Sequence, residues 1–371
     1  MSGALDAYRL PLSAIADAQV VAVLGDVPLS ETAPIVDLWV RKARRNGARI
    51  VTSEKEAKDA DRIVLIWSGP GGRAGVRVAQ LAERLGLAGK EGCGAFFVPA
   101  TPNGRGVADA WASASDSEPG GSAPGDPESI GLLIVSGDEA AGDPNVRGLA
   151  EHAEAVIAVS MFHGLAVGWA DLVLPGTSYL EREGTYVNIE GRLQRLRRTA
   201  APPGPDELEW IAQLATRFGV ALSPHAPAVF AEVSDRCYGG LSYSEVGERA
   251  ALRAYEGAPA HVEEAALPEP HAKGEGLRLI CYKPLFSGPA VERVVELQFQ
   301  RPQAEIELAR PDAERRNIKT GDEVLVTGGG ASVTLRARVN KSLHAGVVRV
   351  AREHAGDVLG TVEVTPVGVT A

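Results

Sequence analysis

The sequence predicts an α/β protein, a Rossmann-type parallel-sheet domain followed by a small β-barrel. Three observations carry that prediction. Short apolar runs alternate with amphipathic ones through the first half, two-residue alternation replaces the helical period near the end, and a stretch rich in proline, glycine and charge separates the two regions. The chain of 371 residues exceeds one ordinary hydrophobic core, and 45% hydrophobic content is ample for two.

Taken in order, QVVAVLG is uniformly apolar, as a strand buried on both faces must be, and APIVDLWVRKARRNG carries its charge on one side only, as a helix packed on a sheet does. ARIVTS and RIVLIWSG read as the next strands, GVRVAQLAERLGLAG as the next helix, and GAFFVPA as a further strand. Residues 114–128, SASDSEPGGSAPGDP, form a surface loop by composition, after which GLLIVSG, AVIAVSM and DLVLPG resume the strand pattern.

Pro175 and Gly176 close that last strand, and TSYLEREGTYVNIEGRLQ comes next with neither helical period nor clean strand alternation. A loop this polar is either a ligand cradle or a structural brace. In PDELEWIAQLATRFGV, Pro205 and Asp206 suit a helix start, and the spacing of Trp210, Leu214 and Phe218 predicts a core-facing stripe. Residues 1–256 therefore form the α/β domain, 257–276 (GAPAHVEEAALPEPHAKGEG) the linker, and 277–371 the barrel. In the barrel, LRLICY, AEIEL, EVLVTG, SVTLRARV, VVRV and TVEVT are strands, and PDAERRN is its one helical turn or two.

Composition excludes several functions. A net charge of −10 with no basic block repels phosphate backbones and anionic lipid, and 5% aromatic content supplies few base-stacking platforms, so no nucleic-acid partner is expected. No uncharged apolar run reaches the roughly 20 residues of a membrane helix, so no direct membrane insertion is expected. The start, MSGALDAYRL, has no basic export region and carries Asp6 where an apolar one belongs, which predicts a cytoplasmic location, with membrane association only through a complex. Cys93, Cys237 and Cys281 stand far apart without CxxC spacing, so no disulfide, metal site or iron–sulfur cluster is expected of them. The histidines show no HExxH spacing.

GPGGRA at residues 69–74 has the GxGxxA form of a dinucleotide fingerprint between a strand and a helix. The acid that should end the following strand is missing, because GAFFVPA closes on Pro99 and Ala100. A free-standing nucleotide-binding protein is the function this motif would carry.

A wider pattern points elsewhere. Asp171, Leu174 and Pro175, then Glu183-Gly184-Thr185, Asn188, and Glu190-Gly191-Arg192 with Gln194, resemble the ADxVLP…E.EGTYxNxEGRxQ signature of the molybdopterin oxidoreductase family. The stretches PDELEWIAQLATRFG and LSYSEVGERA are similar to the next segment in that family, and AEIELARPDAERRNIKTGDEVLVTGGGASVTLRARV is similar to its carboxy-terminal double-psi barrel. The resemblance implies a molybdopterin-oxidoreductase-type sheet domain and a barrel of the dinucleotide-binding type. It also implies that Gly184, Thr185, Asn188, Glu190, Arg192 and Gln194 are a vestigial pterin-site loop.

Active members of the family carry a cluster-binding segment and a molybdenum ligand upstream of the sheet, and this sequence opens on the sheet. The DPR-type cofactor contact is replaced by SEKEAKDA, and the barrel entrance YKPLFSGPAVERVVEL lacks the expected histidine and threonine series. Within the family the combination most resembles the carboxy-terminal region of the large, G-type subunit of NADH-quinone oxidoreductase, respiratory complex I. That resemblance implies a structural, non-catalytic part, truncated or split, with other peripheral-arm subunits as partners. It implies no catalytic residue, no metal and no cofactor in this chain, with molybdopterin as the one cofactor left open. The alternative is a molybdopterin-binding subunit of a formate-dehydrogenase-type oxidoreductase. Under the structural reading Asn188 and Thr185 tie the loop's backbone, and Arg192 pairs with Glu183 or Glu190.

Overall fold

The computed structural model describes residues 3–25, 27–69, 72–99, 101–115, 130–162, 164–253, 276–284, 286–287, 291, 294–358 and 360–367. By their contacts these fall into two units, Met1–Asp26 with Ile35–Glu264, and Val27–Pro34 with Ala265–Ala371. Most of the linker read from composition lies outside the described residues, as do Pro70 and Gly71 of GPGGRA and the surface loop from residue 116 onward.

In the first unit, β1 (Val20–Leu24), β2 (Arg49–Val51), β3 (Ile63–Trp67) and β4 (Gly94–Phe97) pair in parallel in the order β2-β1-β3-β4. A parallel pair needs a crossover, and the amphipathic segments provide it. The short helix α1 (Leu29–Thr32) falls with the second unit, whereas α2 (Pro34–Arg45) leads from β1 to β2 with Val36, Val40 and Ala43 buried. Lys42, Arg44 and Arg45 fill its last turn, where cations complement the helix dipole. Between β3 and β4 runs α3 (Gly72–Arg84), whose Val78, Leu81 and Ala82 enter a core with Ala22, Leu24 and Leu65.

A second parallel sheet comes after α4 (Gly104–Ser115), a helix that composition did not single out. It has the order β5-β6-β7, from β5 (Ile130–Ser136), β6 (Ala153–Ser160) and β7 (Leu172–Pro175). The crossover contains α5 (Asp138–Ala141) and α6 (Pro144–Glu151). Val135, Val156 and Ala158 are buried on one face, and Ala158 packs with Ala141 of α5. The other face departs from the strand pattern's promise of a sheet covered on both sides, because Leu132, Ile134 and Leu172 are exposed on it.

The polar stretch that read as a loop is a β-hairpin, β8 (Gly184–Val187) against β9 (Leu193–Leu196) in antiparallel register. Alternation is hard to see there because each strand is four residues long and only Val187 and Leu193 are buried. Downstream, α7 (Glu207–Arg217) starts where Pro205-Asp206 predicts, with the Asp206 carboxylate accepting from the Glu209 N–H at 3.1 Å. Its apolar stripe is not core throughout. Phe218 is 73% exposed, and Ala212 is the buried residue of the helix. The helix α8 (Ala226–Cys237) brings Phe230 onto Val187, Leu193 and Val246.

The second unit is a closed barrel, order β10-β14-β11-β13-β12-β15. Its strands are β10 (Leu277–Tyr282), β11 (Glu305–Ala309), β12 (Glu323–Gly328), β13 (Ala331–Asn340), β14 (Val347–Ala351) and β15 (Thr361–Pro366). Two parallel pairs, β10 with β14 and β11 with β13, flank the antiparallel β14–β11 pair, and the remaining three pairs are antiparallel. The two-residue period is realised directly, since Val324 and Val326, then Val362 and Val364, point inward between exposed neighbours. PDAERRN forms α9 (Arg310–Arg315).

Candidate functional site

The hairpin β8–β9 presents its turn, residues 188–192, against the amino-terminal segment of the first unit. The turn closes through the Asn188 N–H donating to the Arg192 carbonyl at 3.0 Å and the Gly191 N–H to the Asn188 carbonyl at 2.9 Å. Asn188 Oδ1 accepts from the N–H groups of both Glu190 and Arg192, each at 3.0 Å. An asparagine suits this place because its side chain mimics a turn's backbone carbonyl. Gly191 has φ +81°, and a Cβ there would stand 2.8 Å from Arg105 Cζ and 3.0 Å from Arg9 Nε. The positive φ favours glycine, and a side chain there would also have to displace two guanidinium groups.

Glu190, 6% exposed, is the hub. Its Oε1 accepts from the Leu12 N–H at 2.7 Å, and its Oε2 from Arg192 Nε at 2.9 Å and Asn188 Nδ2 at 3.2 Å. Burial by itself would raise its pKa, but the Leu12 N–H, the Arg192 guanidinium and the Asn188 amide together hold it below the usual glutamate value. Arg192 Nη1 continues to the Ala250 carbonyl at 3.2 Å, so the side chain ties the turn to residues far along the chain.

Around this knot lie groups that spacing in the sequence did not reveal. Asn103, just before α4, accepts from the Val187 N–H through Oδ1 at 2.9 Å. Arg9 and Arg105 both bind Asp6 Oδ1, Arg9 at 2.6 Å. Burial, followed by repulsion from Arg9, pulls the Arg105 pKa down. Apart from the local Arg9–Asp6 pair, these partners join positions some 80 residues or more apart, and no local pattern of one sequence encodes such a pairing.

The structure brings Asn188, Glu190 and Arg192 into one hydrogen-bonded cluster and leaves the other predicted residues along the strands. Gly184 stands opposite Leu196, and its carbonyl faces the Tyr243 hydroxyl at 3.5 Å. Thr185 stands opposite Arg195, and Gln194 opposite Tyr186 with a further bridge to Arg249. Of the two acids open to Arg192, Glu190 is its partner. Glu183 instead takes Arg195 Nη2 at 3.1 Å and the Tyr243 hydroxyl at 3.0 Å, and the Arg195 hydrogen bond leads in lowering its pKa. The Arg195 guanidinium lies over the Tyr243 ring at 4.3 Å. Among the described residues no three His, Cys, Asp or Glu side chains are grouped to hold a metal ion, and no helix is long and apolar enough to cross a membrane.

Comparison with known proteins bears on this geometry. Residues 77–211, which contain the hairpin and its turn, match the molybdopterin oxidoreductase family model, and residues 288–368 match the molydopterin dinucleotide binding domain. Residues 77–211 are thus a molybdopterin oxidoreductase domain by sequence, and residues 288–368 one of the molydopterin dinucleotide binding type. The relatives it resembles have diverse names. A G-type subunit of the NADH-quinone oxidoreductase of Rhizobium meliloti is 30% identical over 189 residues, 49% of this chain and 22% of that protein. The mitochondrial NADH-ubiquinone oxidoreductase 78 kDa subunit of Candida albicans is 43% identical over 58 residues, 15% of this chain and 8% of that one. F420-dependent formate dehydrogenase 1 subunit alpha of Methanococcus maripaludis is 24% identical over 257 residues, 60% of this chain and 38% of that one. The chain therefore spans well under half the length of these relatives.

Proposed function

We propose that this chain is a structural, non-catalytic part of an NADH-quinone oxidoreductase of the complex I type, with the other peripheral-arm subunits as its partners. The similarity to the G-type and 78 kDa subunits supports the assignment to that assembly. The observation that carries the non-catalytic role is the commitment of the loop's donors. Asn188 Nδ2 and Arg192 Nε both face the Glu190 carboxylate, and Arg192 Nη1 faces the Ala250 carbonyl. A pterin pyrophosphate is an anion that needs free donors, and here it would meet a buried carboxylate that has already taken them. The donor set of this turn does not fit that group. Asn188, Glu190 and Arg192 act as a brace, with Glu190 pinning the hairpin to the start of the chain through the Leu12 N–H, while Gly184, Thr185 and Gln194 lie in the hairpin's strands.

A second reading, a molybdopterin-binding subunit of a formate-dehydrogenase-type enzyme, is favoured by the match of residues 288–368 to a dinucleotide-binding domain and by the similarity to a formate dehydrogenase alpha subunit. Native gels of membranes from the source cells, probed for this chain and stained for activity, separate the two. Migration with NADH dehydrogenase activity is the expected result. Migration with formate dehydrogenase activity, together with pterin released from the purified chain in stoichiometric amount, would establish the second reading instead.

A further inference from the structure

We infer that a cavity of about 430 Å³ at the amino-terminal edge of the four-stranded sheet binds the phosphoryl group of a small molecule. Its walls come from the segment 6–11, from the turn 89–93 that leads directly into β4, and from Leu252 and Arg253. The GPGGRA turn follows β3 at the opposite, carboxy-terminal edge, so the two places are distinct.

The turn supplies backbone donors. Gly89 and Gly92 have φ +69° and +70°, and the N–H groups of Gly89, Glu91 and Gly92 donate no hydrogen bond among the described residues. Free N–H groups of successive residues in such a turn form a concavity suited to anions. Two guanidinium groups stand on the same lining. Arg9 commits Nε and Nη2 to Asp6 Oδ1, at 3.0 and 2.6 Å, and leaves Nη1 without a partner among the described residues. Arg253 is exposed and makes no hydrogen bond or ion pair among the described residues, yet its head lies against Gly239, where a Cβ would stand 2.9 Å from Nη2. The contrast with the turn 188–192 is direct, because there the donors are taken by Glu190 and Ala250.

Charge selects the occupant. The chain as a whole is acidic, at −10, but two acids here, Asp6 and Glu91, stand among four bases. Arg9 and Arg105 share Asp6, Lys90 rests on the Leu85 carbonyl at 3.4 Å, and Arg253 is the fourth. A guanidinium fork together with backbone N–H groups matches the several oxygens of a phosphoryl group. Beside these donors Ala7, Leu10, Pro11 and Leu252 form an apolar wall for an organic substituent. The site is independent of the assembly to which the chain belongs.

Titration of the full chain with inorganic phosphate, with adenosine 5′-monophosphate and with adenosine, followed by amide NMR and calorimetry, tests the site. Saturable binding of phosphate and of the monophosphate is expected, with shifts at the Gly89, Glu91 and Gly92 amides, and no such shifts with adenosine. Tighter binding of the monophosphate would assign a phosphomonoester as the occupant, and equal affinities would assign free phosphate. Arg253→Ala is expected to keep the melting temperature, because the side chain is exposed and unpaired, and to weaken phosphate binding about tenfold. Glu91→Gln, which removes a like charge from the lining, is expected to tighten it. No saturable shift at about 10 mM phosphate, unchanged affinity in both variants, or adenosine bound as tightly as its monophosphate would each overturn the proposal.

Discussion

Arg192 shows how one side chain can distinguish a brace from a cradle. Its guanidinium holds the Glu190 carboxylate and the Ala250 carbonyl, both within the protein. Arg192→Ala therefore leaves a nearly buried carboxylate short of a donor, and a loss of roughly 1–3 kcal/mol of stability is expected in urea melts. A cradle would behave in the opposite way, with an unchanged melt and a lost ligand. The carboxylate itself sets a pH dependence. The Glu190 pKa is lower in the folded protein than in the unfolded chain, so its contribution is fully present above the unfolded value of about 4.3 and is lost as pH falls through the folded one. Melting temperature should thus fall on acidification below about pH 4.3, and Glu190→Gln should flatten that fall while lowering stability near neutrality. An identical acid slope in the variant would show that other carboxylates carry it. The residue types of this cluster were legible in the sequence, and the choice of Glu190 over Glu183 was not. Both acids lie within reach of an arginine by spacing, and only the folded hairpin and its turn place Arg195 beside Glu183 and Arg192 beside Glu190.

At the level of elements, legibility tracked the environment of each segment. Barrel strands such as EVLVTG have one wet face and one dry face, so their period is written plainly. The hairpin β8–β9 has intermediate burial at six of its eight positions, which erases that period and made it read as a loop. The helices α4 and α8 went unread because ADAWASAS and APAVFAEVSDRC are rich in small residues and lack a strong apolar stripe. In α7 the stripe was read too far, because the helix ends before Phe218 and that residue turns outward. The helix α9 was found from PDAERRN, and its Asp312 explains why the turn is built as it is. This side chain is fully buried, accepts from the Gly346 N–H at 2.6 Å and pairs with Arg315, so it joins the segment after β11 to the loop before β14. Asp312→Ala should cost about 1–3 kcal/mol by orphaning the Gly346 N–H, whereas Asp312→Asn, which keeps an acceptor, should recover part of the loss. Equal urea midpoints for the two variants would mean that charge, and not the hydrogen bond, is what the loop requires.

For the whole molecule, contacts divide the chain between Glu264 and Ala265, and one further segment departs from sequence order in a way the sequence could not show. Val27–Pro34 sits between β1 and α2 in sequence, yet it groups by contact with the barrel unit, and Leu29 within it is buried. Pro28 and the following LSET carry no signal for such a partner, because a short segment's destination depends on the assembled surface it meets and not on its own period. Each unit otherwise has its own apolar core, one around Leu24, Leu65 and Val78 and one around Ile306, Leu308 and Val348. A fragment of residues 1–264 should consequently fold, with a single cooperative thermal transition monitored by circular dichroism. Leu29 groups with the barrel unit, so its burial contributes to the barrel's transition and not to that of the fragment. Leu29→Ala in the intact chain should then weaken the barrel's transition, while the same change in the fragment should be nearly neutral. If the fragment shows no cooperative transition, the two cores depend on each other and the division into units does not describe how the chain folds.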